Sequence, residues 1–286
     1  MTKWTMIVDV SKCNGCYNCF LACKDEFWNN DYPPYSMAQP RHGHQWIRIL
    51  TKEHGQYPHV RVAYMPITCM HCDEAPCIEN AKNNAVYKRP DGVVIIDPEK
   101  AYNQKQILDT CPYKAIFWNE EKKLPQKCTL CAHLLDKGWK EPRCVQACPT
   151  GALIFGDLEN SKSDVYKKLV QRKAEPYRPE YGTKPNIHYI ALHKITKNIL
   201  AGTVVFKDTD ECAENVKITL INKKTNQLKN TQTNNYGDFE IQELEPAEYT
   251  LILTHPNYKT EKMDIKIERS TYIGCIFLEK SKSTLP

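Results

Sequence analysis

The sequence of 286 residues predicts an α+β protein with two domains, a cysteine-rich N-terminal domain and an all-β C-terminal domain. Twelve of the fourteen cysteines lie before residue 149. Two similar stretches, which begin at Cys111-Pro112 and Cys148-Pro149, pass from a cysteine into an apolar strand and indicate an internal repeat. From Ile199 onward, short alternating segments separated by turn residues are typical of a β-sandwich.

The first cysteine run, Cys13-x2-Cys16-x2-Cys19-x3-Cys23, has the spacing of bacterial two-cluster ferredoxins. Three thiolates in one loop cover three irons on one side of a [4Fe–4S] cube, and the fourth reaches a different cube. The run therefore predicts a second group of cysteines elsewhere that completes both clusters. It also predicts a ferredoxin-like fold made of two modules that bind [4Fe–4S] clusters.

The other cysteines complete three sets of four predicted metal ligands. Cys128, Cys131 and Cys144 form a second triplet, and Cys148 is its crossing ligand. The sets are cluster A, with Cys13, Cys16, Cys19 and Cys148; cluster B, with Cys23, Cys128, Cys131 and Cys144; and cluster C, with Cys69, Cys72, Cys77 and Cys111. We thus expect three [4Fe–4S] clusters.

Cluster C is what remains of a module that lacks one site. Ala81 stands where the run from Cys69 to Cys77 would place a fourth cysteine, and residues 101–110 contain none of the triplet expected before Cys111. The missing ligands form one complete site, so the surviving triplet and the surviving Cys111 belong together.

Zinc is the main alternative metal, because it also accepts sites of four cysteines. Such zinc sites use two Cys-x2-Cys pairs rather than a triplet with a crossing Cys-Pro, so the pattern favours iron–sulfur clusters. Rieske-type ligation needs two histidines on one iron. We therefore interpret His71 and His133, like the other seven histidines, as surface or hydrogen-bonding residues.

Residues 1–155 are predicted to form the ferredoxin-like domain. Residues 6–10 favour a strand, and residues 85–96 favour a hairpin around a Pro-Asp-Gly turn. Residues 25–66 form an insertion rich in aromatic residues and proline, in which 46–50 and 60–64 favour strands. We expect this insertion and residues 174–190 to be the candidate contact surfaces for a partner.

Residues 156–198 are predicted to be a connector over the surface, with a short amphipathic helix at 164–173. Residues 199–286 are predicted to form an immunoglobulin-like sandwich. Its seven strand segments are 200–206, 215–221, 228–233, 238–242, 248–254, 262–267 and 271–278. Cys212 and Cys275 lack a nearby cysteine, so we interpret them as buried thiols rather than a disulfide.

Charge and motifs exclude several functions. The net charge of +5 is expected to offset the negative charge of thiolate-bound clusters rather than to bind nucleic acid. No apolar run approaches the roughly 20 residues of a membrane helix, and no secretory signal is visible, so we expect a cytoplasmic protein without a membrane partner. No P-loop, dinucleotide fingerprint or nucleophile–base motif is present, so no catalytic residue is expected on this chain.

These residues resemble the iron–sulfur subunits of the DMSO reductase family of molybdenum enzymes. Members usually carry four [4Fe–4S] clusters and dock on a large subunit that holds a bis-molybdopterin guanine dinucleotide cofactor. The resemblance implies a heterodimer with a large molybdopterin-containing catalytic subunit, with molybdenum and molybdopterin guanine dinucleotide on that partner only. The Cys128 motif and residues 148–157 carry this match, and residues 7–10, 92–100, 108–113, 118–121 and 127–136 carry the further resemblance to the transhydroxylase members.

This chain resembles the transhydroxylase members of this family in two features, the absent fourth site and the C-terminal sandwich. The sandwich is similar to carboxypeptidase-regulatory and Cna-B modules. This resemblance implies a cytoplasmic heterodimer that acts on a trihydroxybenzene and moves a hydroxyl group between aromatic rings without net redox change. Two alternatives remain open: an electron-transfer subunit of another molybdenum reductase or dehydrogenase that serves an external acceptor, and a structural subunit whose clusters only hold the fold.

Overall fold

The computed structural model describes residues 2–57, 59–172 and 174–281, which form two compact units. The first unit is Met1–Thr51 with Tyr64–Leu192, and the second is Lys52–Ala63 with His193–Pro286. Lys173, the last residue of the predicted connector helix, and residues 282–286 of the predicted sandwich lie outside the described residues.

The chain up to residue 192 contains short elements joined by loops. The helices are α1 (Asn18–Phe27), α2 (Pro76–Glu79), α3 (Ala132–Leu135), α4 (Arg143–Gln146) and α5 (Asp164–Arg172), with 3₁₀ turns at Lys105–Thr110 and Pro179–Tyr181. The strands are β1 (Trp4–Asp9), β2 (Ile47–Gln56), β3 (His59–Thr68), β4 (Val86–Lys88), β5 (Val94–Ile96), β6 (Phe117–Asn119), β7 (Leu124–Gln126), β8 (Leu153–Asp157), β9 (Glu175–Pro176) and β10 (Ile187–Ile190).

A four-stranded sheet of order β8-β1-β10-β9 forms the framework of the first unit. β1 runs antiparallel to β8, with Met6 opposite Phe155, and parallel to β10, with Met6 opposite Ile187. Ile187 and Tyr189 are fully buried. The prediction of a surface connector is therefore wrong for β10, because this strand pairs with the central strand β1 and its side chains enter the interior.

The local predictions around the cysteine loops agree with the structure. β2 and β3 contain the two strand segments predicted in the insertion, and β4 pairs with β5 as the predicted hairpin. β6 and β8 follow Cys111 and Cys148, as the internal repeat predicts. The prediction that the whole insertion belongs to the first domain is wrong for residues 52–63, which group with the second unit. There, His54 Nδ1 lies 2.6 Å from Ser270 Oγ.

The second unit contains two four-stranded sheets, one of order β12-β11-β15 with β18 also on β11, and one of order β14-β13-β16-β17. Its elements are α6 (His193–Thr196), β11 (Asn198–Phe206), β12 (Glu211–Cys212), β13 (Lys217–Asn222), β14 (Leu228–Gln232), β15 (Asp238–Leu244), β16 (Ala247–His255), β17 (Tyr258–Ile267) and β18 (Thr271–Leu278). All seven predicted segments overlap these strands, although residues 215, 216 and 233 lie outside them; the two-residue β12 was not predicted.

Both sheets contribute to one apolar core. Leu200 and Phe239 come from the first sheet, and Ile218 and Leu251 come from the second. Their alternation along the strands is the signal that identified the segments, because side chains one residue apart point to opposite faces.

Cys212 and Cys275 are free and exposed, so the expectation that they are buried is wrong. Cys212 lies on the short strand β12, both of whose residues are exposed. On β18 the alternation turns Ile276 inward and leaves Cys275 on the outer face. In the described part of the chain, no helix is long and apolar enough to cross a membrane.

Candidate iron–sulfur centres

The four cysteines of cluster A line one cavity of about 290 Å³. Cys13 and Cys16 come from the loop after β1, Cys19 lies in the first turn of α1, and Cys148 follows α4. The loop turns back at Gly15, where φ is +73°. A Cβ atom at Gly15 would come 2.7 Å from the ring of Tyr64, so both the turn and the space require glycine.

The four cysteines of cluster B come together where α1 packs against α4. Cys23 lies one turn after Cys19 on α1, and Cys144 lies on α4. Burial and the nearby Cys128 and Cys131 sulfurs raise the pKa of Cys23. Burial and the sulfurs of Cys131, Cys128 and Cys23 likewise raise the pKa of Cys144. The pKa of Cys23 responds to Cys128 and Cys131, so Cys23 lies near these two cysteines of the second triplet.

The four cysteines of cluster C line a second cavity, of about 360 Å³. Cys69 and Cys72 follow β3, Cys77 lies on α2, and Cys111 follows the 3₁₀ turn. His71 and Lys127 line the same cavity. The other lining side chains are apolar except for Tyr113, whose hydroxyl is hydrogen-bonded to Thr183.

The donor sets fit [4Fe–4S] clusters in their chemistry. Burial is the largest influence that raises the pKa of Cys19, Cys72 and Cys77, in each case to about 12. Such thiols stay protonated unless a positive core stabilises their thiolates. Among the described residues, no three His, Cys, Asp or Glu side chains are arranged to hold one metal ion. The thiols of clusters A and C surround cavities instead, as cube ligands do.

Backbone N–H groups approach several of the sulfurs. His71 N donates to Cys69 Sγ at 3.5 Å, and Leu130 N donates to Cys128 Sγ at 3.3 Å. Burial raises the pKa of Cys148, but backbone N–H groups at Leu153 and Thr150 outweigh it, and the pKa is lowered overall. Hydrogen bonds to the sulfurs are one of the means by which a protein sets a cluster's reduction potential.

Three buried side chains near the cysteines differ from the sequence interpretation or escaped it. His71 is completely buried, so its placement at the surface is wrong, whereas its hydrogen bond from Val94 N at 3.0 Å confirms the other interpretation. His133 is also buried and lies 3.0 Å from Glu26 Oε1. Lys127 was not predicted as a site residue, yet it is 2% exposed. Its ammonium donates to the carbonyl oxygens of Val94 and Cys128.

The segment after Ala81 contacts the segment before Cys111. The side chain of Gln104 accepts from Lys82 N at 2.8 Å and donates to the carbonyl oxygen of Lys82 at 3.1 Å. Gln104 is buried, and Ile107 in the adjoining 3₁₀ turn is fully buried. The residues that follow Ala81 are therefore tied to the turn that precedes Cys111 by hydrogen bonds and apolar packing.

Two family models match this chain. A model of the 4Fe-4S dicluster domain matches residues 60–158, and a model of the carboxypeptidase regulatory-like domain matches residues 199–272. The protein thus combines these two kinds of domain.

Three relatives illustrate the match. The chain is 42% identical over 255 residues to the pyrogallol hydroxytransferase small subunit of Pelobacter acidigallici. The aligned region covers 88% of this chain and 90% of that subunit. It is 35% identical to a sulfite dehydrogenase subunit of Allochromatium vinosum, covering 70% and 87%. It is 34% identical to a Halobacterium salinarum protein named as a dimethyl sulfoxide reductase iron–sulfur subunit, covering 66% and 79%. The chain therefore belongs to the iron–sulfur electron-transfer subunits of the DMSO reductase family of molybdenum enzymes.

Proposed function

We propose that this chain is the small subunit of a pyrogallol–phloroglucinol-type transhydroxylase and carries three [4Fe–4S] clusters. The ligands are the cluster A, B and C cysteines as assigned above. The substrate chemistry takes place on a large partner subunit that holds molybdenum and molybdopterin guanine dinucleotide, in a cytoplasmic heterodimer. This chain supplies no catalytic residue.

The observation that carries the cluster proposal is the meeting of distant segments. Cys148 lies with the Cys13 loop, Cys23 lies near Cys128 and Cys131, and Cys111 shares a cavity with the Cys69 loop. Most of the predicted ligands come in local groups, but the assembly of each set depends on a cysteine from another segment. Four thiols in one set match the number of irons in one cube.

Metal analysis of the complex purified under anaerobic conditions tests the number of clusters. We expect about twelve irons per small chain, four per cube, and molybdenum in the co-purifying large subunit. About sixteen irons would indicate a fourth cluster elsewhere, and zinc in place of iron would overturn the cluster proposal. Mass spectrometry of the co-purifying chain tests the partner separately.

Cys23→Ser tests the crossing assignment. We expect the spectroscopic signal of cluster B to be lost or altered while the signal that Cys13→Ser affects remains. Cys212→Ser is the matched control, because Cys212 is free and exposed on the second unit. If Cys23→Ser and Cys13→Ser damage the same cluster, the crossing assignment fails.

The similarity to the sulfite dehydrogenase subunit supports a second candidate function, an electron-transfer subunit that serves an external acceptor. The two candidates differ in their need for an electron partner. Turnover of pyrogallol by the complex without any added donor or acceptor favours the transhydroxylase. Strict dependence on an added acceptor favours the alternative. Clusters that cannot be reduced at any accessible potential would contradict electron transfer and favour a structural role.

A further inference from the structure

Within the described residues, one ring nitrogen of His71 has no hydrogen-bond partner. The ring is fully buried and lines the cavity of the cluster C cysteines. Its Nδ1 accepts a hydrogen bond from the backbone N–H of Val94 at 3.0 Å. Its Nε2 is buried and has no hydrogen-bond partner among the described residues.

The bond from Val94 fixes the tautomer of His71. A backbone N–H is always a donor, so Nδ1 must act as the acceptor and carries no proton. In the neutral imidazole the proton is then on Nε2. A buried N–H group without an acceptor is energetically unfavourable, and native proteins rarely contain one.

Of the cavities described above, the one that adjoins this ring is the cavity lined by the four cysteines of cluster C. Sulfur accepts hydrogen bonds, and a cluster's sulfurs carry more negative charge in the reduced state. An N–H donor in this position stabilises the reduced state more than the oxidised state. Its removal therefore lowers the reduction potential.

We infer that His71 Nε2 donates a hydrogen bond to a sulfur of cluster C and raises the reduction potential of that cluster. This inference rests on the proposed cluster assignment. His71 is then a residue that tunes one redox centre, and it is neither a ligand nor a catalytic group.

The experiment is an EPR redox titration of the complex with His71→Phe and His71→Gln. Both variants place a non-glycine side chain at the same positive φ of 45°, so the backbone cost is shared. Phenylalanine keeps the ring volume without a donor, and glutamine keeps an N–H donor. We expect His71→Phe to shift the potential of cluster C to more negative values, clusters A and B to stay unchanged, and His71→Gln to restore most of the shift.

Met70→Leu is the packing control, because Met70 is a buried apolar residue of the same cavity. An unchanged potential in a His71→Phe protein of full iron content would overturn the inference. So would an equal shift in Met70→Leu. A wild-type complex without iron would instead refute the proposed function, which iron analysis detects before any titration.

Wild-type protein labelled with ¹⁵N-histidine gives a test that needs no variant to fold. In the state in which cluster C is reduced, pulsed EPR should show a ¹⁵N coupling from the Nε2–H···S contact. The coupling should vanish in labelled His71→Gln. Its absence from the labelled wild type would overturn the inference.

A different observation points to a second site in the first unit. Ser36, Trp46 and Thr129 line one cavity, and each is at most 6% exposed. Their Oγ, Nε1 and Oγ1 atoms have no hydrogen-bond partner within the ranges that the structure describes. The space open to the centre of a water molecule is about 10 Å³, which is room for one water.

The geometry points to a single structural water bound by these three side chains. A buried water typically makes about three hydrogen bonds, and this site offers one N–H donor and two hydroxyls. Thr129 lies between two cluster B cysteines, and Lys127 lines both this cavity and that of cluster C. The water therefore lies beside the segment that joins the two cysteine sets.

A crystal structure of the complex that resolves individual waters tests this site. We expect one peak within hydrogen-bond distance of all three atoms, and its loss in Ser36→Ala/Thr129→Val with the iron content unchanged. An empty cavity in the wild type would overturn the proposal. A peak that persists in place in the double variant would show that these hydroxyls do not hold it.

Discussion

The glycine of the first cysteine loop gives the sharpest test of how the loop geometry holds a cluster. Gly15 and Gly151 both have positive φ, +73° and +62°, and both lie in segments that carry cluster A cysteines. A Cβ atom at Gly15 meets the Tyr64 ring at 2.7 Å, whereas within the described chain a Cβ at Gly151 meets no atom within 4 Å. Alanine thus imposes the same kind of backbone strain at both positions and a steric clash at only one.

The magnitudes follow from these distances. A left-handed conformation costs an L-residue about 1–2 kcal/mol, and this cost applies to both variants. Ordinary carbon–carbon contacts lie at about 3.5–4.0 Å, so the Tyr64 ring must move by roughly 1 Å. Overpacking of this size costs about 1–3 kcal/mol. Gly15→Ala should therefore lower the population of the ligating loop conformation about 5- to 150-fold more than Gly151→Ala.

The assay is the rate of iron release to a chelator under anaerobic conditions, with EPR to identify the cluster that is lost. We expect Gly15→Ala to release the iron of cluster A faster than Gly151→Ala by that factor. Gly15→Ala/Tyr64→Ala, compared with Tyr64→Ala alone, should remove the excess because the clash is gone. Equal rates for the two glycine variants, or no rescue by Tyr64→Ala, would refute the steric argument.

Three further predictions concern the second unit. Gly237→Ala should lower the free energy of unfolding by about 2–4 kcal/mol more than Gly274→Ala. The added Cβ at Gly237 would clash with the carbonyl oxygen of Val204 on the neighbouring strand, whereas in the part of the chain described a Cβ at Gly274 meets nothing within 4 Å. Hydrogen exchange of β11 and β15 measures the difference. Ser270→Ala should destabilise the packing of residues 52–63 by about 1–3 kcal/mol, because it removes the partner of Nδ1 of the buried His54. The rate of amide hydrogen exchange in residues 52–63 should therefore rise. Hydrogen bonds from two lysines lower the pKa of Glu279 from 4.5 to about 2, so the stabilising effect of this carboxylate is present above pH 4.5 and is lost as the pH falls towards 2. The hydrogen-exchange protection of β18 in the wild type and in Glu279→Gln should therefore converge over that range, and a constant difference would contradict the prediction.

The features that the sequence predicts well are those in which chemistry or periodicity leaves few choices. The spacing from Cys13 to Cys23 separates the last cysteine from the other three, because Cys19 and Cys23 lie about 6 Å apart along α1. The alternation of apolar residues fixes the sandwich strands, because one face must be buried. In both cases the signal is local, and each residue carries part of it.

The features that sequence reasoning missed depend on contacts between distant segments. β10 has only four residues and pairs in parallel with β1, about 180 positions earlier, so no local pattern identifies it. His71 lies in a loop whose positive φ turns the ring inward, and nothing in its neighbours predicts that turn. A lysine beside a cysteine is typical of a solvated loop. Lys127 is nevertheless buried, and its ammonium donates hydrogen bonds to the carbonyl oxygens of Val94 and Cys128.

These contacts also order the three cysteine sets. α1 carries Cys19 of cluster A and Cys23 of cluster B one turn apart, and the Cys19 sulfur contributes to raising the pKa of Cys144 in cluster B. On the other side, the Cys69 sulfur of cluster C contributes to raising the pKa of Cys128, and Lys127 lines the cluster C cavity. Cluster B therefore adjoins both other sets. Under the proposed assignment, Cys23 belongs to the set that adjoins both others, so we expect its loss to disturb the cluster that lies between clusters A and C.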